Sequence, residues 1–218
     1  MFFFRTIILI LVTGMTLGAG AQSLRFGSGV FGGFNLAQVD GDDMQGYDKP
    51  GINLGLRGMA FILPKLEVHT ELAYNQKGSQ SKDFAKSNNK GRKLYLDYVA
   101  INALIVVNDW FHPLKEYYRI QVHGGVSTGR LVRFLVNDPG GDLRNAPLKE
   151  LSYFFNSTDF SMIIGTHLKF TQKSGISFRY TRSMNKLLDA DVVQPLYERK
   201  TINSMKGYFI SCDFFYQF

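Results

Sequence analysis

The chain has almost no means of making a disulfide: its only cysteine is Cys212. One thiol excludes an internal bridge, and no cysteine near the N-terminus offers a lipid attachment point. Long apolar runs are scarce too. The N-terminus holds the only one, and mean hydropathy is −0.08 although 45% of residues are hydrophobic. A bundle of membrane helices is thereby excluded. No segment carries helical periodicity over about 11 residues or more, and only Ala146 to Phe155 is a candidate for a short loop helix. No linker marks off a second domain, so one domain is expected from 218 residues.

The N-terminal run has the form of an export signal. Arg5 gives a positive start, Thr6 to Thr13 is the apolar core, and Ala19-Gly20-Ala21 is a small-residue cleavage site. Gly14, Gly18 and Gly20 interrupt the run before it reaches the ~20 apolar residues of a spanning helix. Residues 1–21 are therefore read as a signal peptide, and residues 22–218 as the mature domain. The net charge is +7, or +6 once Arg5 leaves with the signal. In an exported chain anionic lipid or polysaccharide suits that charge better than nucleic acid does, and a solvated surface with no partner suits it better still.

The dominant pattern has period two, the signature of strands whose side chains alternate between two faces. It is clearest at the end of the chain, where Tyr208, Ile210, Cys212, Phe214, Tyr216 and Phe218 alternate with Gly207, Ser211, Asp213 and Gln217. Phe209 and Phe215 are the apolar exceptions on the second face. Similar segments run from Leu24 to Leu36, Gly51 to Leu63, Leu66 to Lys77, Lys93 to Val107, Tyr117 to Leu135, Thr158 to Phe170 and Gly175 to Ser183. In each, the even-numbered residues read as the apolar face. In the fourth segment these are Leu94, Leu96, Tyr98, Leu104 and Val106, against Asp97 on the odd face, with Asn102 as an exception.

Eight such segments, separated by alternately long and short connections, predict an all-β, eight-stranded antiparallel up-and-down transmembrane barrel. A soluble lipocalin-like barrel would show the same alternation. The export signal, the aromatic strand ends and the terminal Phe218 favour lipid on the outside. The expected location is the outer membrane of a Gram-negative bacterium, with long loops outside and both termini in the periplasm. Trp110, Phe111, Tyr117, Tyr118, Phe170, Tyr216 and Phe218 then form one aromatic girdle, and Tyr74, Phe134, Phe160 and Tyr180 the other. The polar face becomes the lumen. Its expected network is Arg57, Glu67, His69, Glu71, Asp97, Arg119, His123, Asp159, His167, Arg179 and Asp213. Eight strands leave room only for side chains, so a pore is not expected.

Several motifs, in order, resemble the PorT-like outer-membrane β-barrel family common in Bacteroidota. They include Gly32-Gly33-Phe34-Asn35-Leu36, Asp40-Gly41-Asp42 through Gly46-Tyr47, and Gly51-Ile52-Asn53. Glu71 through Gly78, Tyr95-Leu96-Asp97, Gly124-Gly125, Asp159-Phe160 with Gly165, and Arg179-Tyr180 complete the set. The family often has a proline where this chain has Val99. The resemblance implies an eight-stranded barrel inserted by the outer-membrane assembly machinery, and little about activity. The name-giving member belongs to the type IX secretion apparatus. Phe218, with Tyr216 before it, resembles the terminal aromatic signal that this machinery reads.

Chemistry-bearing groups are few. His69, His123 and His167 share the inner face and could hold a transition metal, but Glu67, Glu71 and Asp159 offer them ordinary partners. The loop-side connections contain no histidine to serve a hydrolase. Asp40, Asp42, Asp43 and Asp48 lack the terminal glutamate of an EF-hand loop. Lys82, Lys86, Lys90 and Arg92, with Lys77 and Lys93 beside them, are candidates for contact with lipopolysaccharide phosphates. No catalytic residue, metal or cofactor is assigned. The expected function is a non-enzymatic structural or interaction role in the envelope, with an outer-membrane enzyme acting on lipid or peptide, or a secretion component, as the alternatives.

Overall fold

The computed structural model describes residues 25–42, 44, 46–81, 91–114, 116–137, 152–193 and 204–218. The segment read as a signal peptide lies outside them, as do Asp43, Lys82, Lys86 and Lys90. The described chain forms eight strands: β1 (Phe26–Asp40), β2 (Lys49–Leu63), β3 (Leu66–Gln80), β4 (Lys93–His112), β5 (Tyr117–Asn137), β6 (Thr158–Lys169), β7 (Ser174–Ser183) and β8 (Lys206–Gln217). Each pairs antiparallel with its sequence neighbours, and β1 pairs with β8 to close the barrel. A 3-10 turn at Ser152–Phe154 and a four-residue helix, α1 (Ala190–Val193), lie in the connections.

The alternation read from the sequence becomes two surfaces. On β8, Phe209, Ser211, Asp213, Phe215 and Gln217 point inward, whereas Ile210, Phe214 and Tyr216 are exposed. Cys212 is exposed on the same outer face. Closure removes the free edges that a lone strand would present.

One strand reverses the expected parity. On β4 the even residues Leu94, Leu96, Tyr98, Leu104 and Val106 are buried, and Val99, Ile101, Ile105 and Val107 are exposed. Asn102 and Asn108, buried on the even face, mark the true interior. The physical reason is that both faces of β4 are apolar, so hydrophobicity alone carries no direction; the register with β3 sets it. Lys77 opposes Leu96 and Asn75 opposes Tyr98. A second change of parity occurs on β5. Asp97 pairs with Arg133 but Tyr98 pairs with Leu131, which leaves Val132 as an extra, bulged residue. Beyond it Phe134 and Val136 turn inward, so Phe134 is not part of an outer girdle.

The extra inward apolar residues of β4 have a purpose at the loop-side mouth. Leu94, Leu96 and Tyr98 meet Val39 from β1 and Met44, Phe155, Leu187, Leu188 and Met205 from the connections. The connections are tied together above them: the Leu187 amide donates to the Met205 carbonyl at 2.8 Å, and Asn156 to Leu187 at 2.7 Å. At the opposite, turn-bearing end, Trp110, Phe111, Phe170 and Phe218 are exposed. Tyr117 departs from that girdle. It is buried, and its hydroxyl donates to the Phe170 carbonyl at 2.8 Å.

The β1–β8 seam depends on a close approach at Gly33. A Cβ there would fall 2.1 Å from the Cys212 carbonyl oxygen and 2.6 Å from the Asp213 Cα. At Gly32 the nearest contact would be an ordinary 3.8 Å to Leu54. Gly33→Val is expected to destabilise the barrel by about 1–3 kcal/mol, the usual range for overpacking. Its folded, heat-modifiable gel band should therefore unfold at lower temperature. Gly32→Val should migrate as the wild type does. Identical melting of the two variants would contradict a seam set by that contact.

Candidate functional site

The lumen is a stack of polar layers, each assembled from several strands. Its centre is Glu71 on β3. The Arg57 Nε donates to Glu71 Oε1 at 2.8 Å, and Arg179 binds both carboxylate oxygens at 2.7 and 2.8 Å. Asn102 adds a fourth donor at 3.0 Å. Such a two-pronged guanidinium–carboxylate pair combines charge with fixed geometry. The guanidinium groups also face apolar rings. Arg57 lies 5.5 Å from the Phe31 centroid and 5.2 Å from that of Phe215, and Arg179 lies 4.9 Å from Phe31. Asp213 completes this layer, accepting from Asn53 at 2.8 Å and Ser211 at 3.0 Å.

Toward the turn-bearing end comes a layer of imidazoles. His167 stacks between His123, at 4.2 Å centroid distance, and His69, at 6.0 Å. Arg57 has only protons to offer, so His167 Nε2, 3.5 Å away, accepts, and its Nδ1 donates to Gln121 Oε1 at 3.1 Å. His69 meets Glu67 at 2.8 Å. Asn108 and Gln121 donate to the other Glu67 oxygen at 2.7 and 3.3 Å. Toward the loop side, Lys77 bridges to Asp159 at 2.6 Å, beneath the Tyr98 and Phe209 rings.

These layers leave little space. The cavity between the Glu71 and Lys77 layers measures about 10 Å³ and is lined by Asn53, Asn102, Lys77 and Arg179. That is the room of a single water at most. The wider vestibule at the turn-bearing end, about 410 Å³, stops at Glu67, Asn108 and Gln121.

Nine of the eleven residues expected in the lumen network stand in it: Arg57, Glu67, His69, Glu71, His123, Asp159, His167, Arg179 and Asp213. Asp97 and Arg119 do not. Asp97 is buried, but on the outer face near the loop-side rim, because β4 is inverted. It accepts the Tyr74 hydroxyl at 2.8 Å and faces Arg133 at 3.6 Å. Arg119 is exposed and lines an open groove with Trp110, Ile120, Leu168 and Phe170. Trp110 lies beside it on β4 with φ 51°, which interrupts the alternation there.

Lys77 corrects another expectation. It is a lumen cation and not part of a loop contacting lipid, because β3 continues to Gln80. Arg92 does lie at the loop side, where it donates to the Asp42 carbonyl at 3.3 Å. The acidic loop residues do not converge. Asp42 is buried against Ser79 and the Met44 amide, whereas Asp40 accepts the Tyr208 hydroxyl. Among the described residues, no three His, Cys, Asp or Glu side chains are arranged to hold a metal ion. Asn53, Asn108 and Gln121 are partners that charge patterns miss. Asn53 and Gln121 share the inward, odd parity of β2 and β5, which was the available signal; Asn108 lies on the inverted β4 and carried none. Tyr216 and Phe218 are exposed at the turn-bearing end with their rings 5.8 Å apart.

The family model for the outer membrane protein beta-barrel domain matches residues 7–208. Among solved structures, Ail of Yersinia pestis is 15% identical, with a TM-score of 0.48, covering 89% of this chain and 100% of its own. Neisserial surface protein A is 13% identical, with a TM-score of 0.44 and coverage of 88% and 97%. The N-terminal barrel of Pseudomonas aeruginosa OprF is 8% identical, with a TM-score of 0.37 and coverage of 87% and 99%. No curated protein matches the chain.

Removing the central acceptor should be costly. Glu71→Gln leaves Arg57 and Arg179 facing each other without their shared carboxylate, and an uncompensated buried charge costs about 3–5 kcal/mol. Urea unfolding in detergent should show a loss of that order, and a loss below about 1 kcal/mol would mean that the layer contributes little.

A second expectation concerns Asp42, in the first loop-side connection. Burial pushes its carboxyl up to about 6 from an ordinary 3.8, while the Ser79 and Met44 hydrogen bonds act in the opposite direction. The folded loop therefore holds this proton more tightly than the unfolded chain does. Its contribution to stability is full below about pH 4 and is lost as pH rises through about 6. Limited proteolysis between pH 4 and 7 should cut this connection faster as pH rises, and Asp42→Asn should flatten the dependence. A wild-type rate that falls with pH would reverse the sign.

Proposed function

The chain belongs to the outer membrane protein beta-barrel domain family, and on that premise we propose that it is a closed, non-enzymatic barrel with a structural or interaction role in the cell envelope. The observation that carries this reading is the Arg57–Glu71–Arg179 layer, which spans the lumen from β2, β3 and β7. A narrow barrel filled by paired charges favours a rigid scaffold over a conduit. The loop-side mouth is packed with apolar side chains in addition. All four histidines lie in strands, three of them in the lumen, which supports the non-enzymatic reading. The PorT-like resemblance, cleavage after Ala21 and periplasmic placement of both termini belong to the same reading. The alternation of long and short connections supports that placement. The exposed pair Tyr216 and Phe218 at the turn-bearing end is read as the signal for the assembly machinery.

Planar-bilayer recording and surface labelling test the proposal together. The purified barrel is expected to give no stepwise conductance. An epitope inserted between Pro139 and Gly140 should be labelled on intact cells, and a C-terminal epitope only after the outer membrane is opened. Stable single-channel steps would refute the closed barrel, and labelling of the C-terminal epitope on intact cells would refute the orientation.

A further inference from the structure

The outer wall carries a groove that the lumen does not explain. It lies at the loop-side ends of β6, β7 and β8 and has a volume of about 480 Å³. Met162, Ile164, Tyr180 and Met184 supply its apolar walls, and Arg182 and Lys206 stand beside them. Met162, Ile164 and Met184 are each more than half exposed, at 56%, 61% and 57%. Arg182 opposes Met162 on one side and Tyr208 on the other, so its alternation directs it to the outer face.

Neither cation forms an ion pair with a described residue. Asp40 lies across from Lys206 in the β1–β8 ladder, yet its carboxylate accepts the Tyr208 hydroxyl at 2.9 Å. This contrasts with the lumen, where Arg57, Lys77 and Arg179 all meet carboxylates. The height of the pair is informative. A tilted strand crosses the bilayer in ~9–11 residues, and Arg182 stands eight residues beyond Ser174 along β7. Arg182 and Lys206 therefore sit at the loop-side interface, where an exposed cation costs only about 0–1 kcal/mol. Directly below, Phe178, Ile210 and Phe214 continue the apolar wall.

The geometry points to a lipid site: the groove receives an acyl chain of a phosphorylated outer-leaflet lipid of the lipid A type, and Arg182 and Lys206 hold its phosphate. The guanidinium of Arg182 matches a phosphate through paired donors, and Lys206 adds a point charge. This inference rests on the outer-membrane reading and goes beyond it by naming a ligand class and a site. The site also differs from the loop cations Lys82, Lys86 and Lys90.

Native mass spectrometry of the detergent-solubilised protein with added lipid A tests it. The wild type is expected to retain lipid A, and the double variant Arg182→Gln/Lys206→Gln to bind it about tenfold or more weakly. The charge-preserving Arg182→Lys/Lys206→Arg variant should keep most of the binding. Dephosphorylated lipid A should bind the wild type as poorly as lipid A binds the double Gln variant. Equal retention by the wild type and the Gln variant would overturn the site. Equal binding of dephosphorylated lipid A, or displacement of lipid A by millimolar inorganic phosphate, would overturn the assignment to a lipid phosphate. Heat-modifiable migration of each variant reports on the barrel separately, so loss of lipid binding by a folded variant is not confused with loss of the fold.

Discussion

The rest of the structure depends on satisfying charge inside a closed ring of strands. Glu71, at the middle of the lumen, receives donors from β2, β4 and β7. One carboxylate thereby links three strands that are not all neighbours. With Asp213 it offsets the two guanidinium groups, which stand within one layer. An ionised side chain in so narrow a space can remain only if paired, because desolvation would otherwise outweigh any gain from packing. The same requirement recurs at Lys77–Asp159 and at Glu67 with His69, Asn108 and Gln121.

Paired layers and glycines are two sides of one packing problem. Arginine, phenylalanine and histidine side chains fill the axis, so the facing wall must recede elsewhere. Gly165 does this opposite His123, where a Cβ would come within 2.7 Å of the ring nitrogen, and Gly55 does it opposite Phe31 at the same 2.7 Å. The lumen is therefore a solid core turned inside out: polar within, apolar without. At the loop side the polarity changes again, and an apolar cluster gathered from β1, β4, β5 and the connections closes the mouth.

The wall distinguishes two kinds of cation. In the lumen Arg57, Lys77 and Arg179 are held by carboxylates and rings, whereas Arg182 and Lys206 border an apolar groove and form no ion pair with a described residue. Electrostatics inside the barrel serves the fold.

Strand number, order and approximate span could be read from the chain because period two and turn composition are local properties. Tyr208 to Gln217 on β8, with Phe209 and Phe215 as exceptions, Leu66 to Asn75 on β3 and Ile176 to Thr181 on β7 each had one apolar and one largely polar face, so burial could be assigned without knowing any partner. β4 could not be assigned that way. Leu94, Leu96, Val99, Ile101, Leu104 and Ile105 make both its faces apolar, and only the register with β3 decided which one turned inward. That inversion moved Asp97 to the outer face. The bulge at Val132 moved Phe134 inward, and the backbone at Trp110 accompanied the exposure of Arg119. The sequence by itself determined that there would be a barrel with a charged interior, because the alternation of apolar and polar residues is encoded residue by residue. Only the tertiary structure decided which charges meet, because the partners of Glu71 lie on strands up to 108 positions away and are brought together by shear and closure, which no local pattern records.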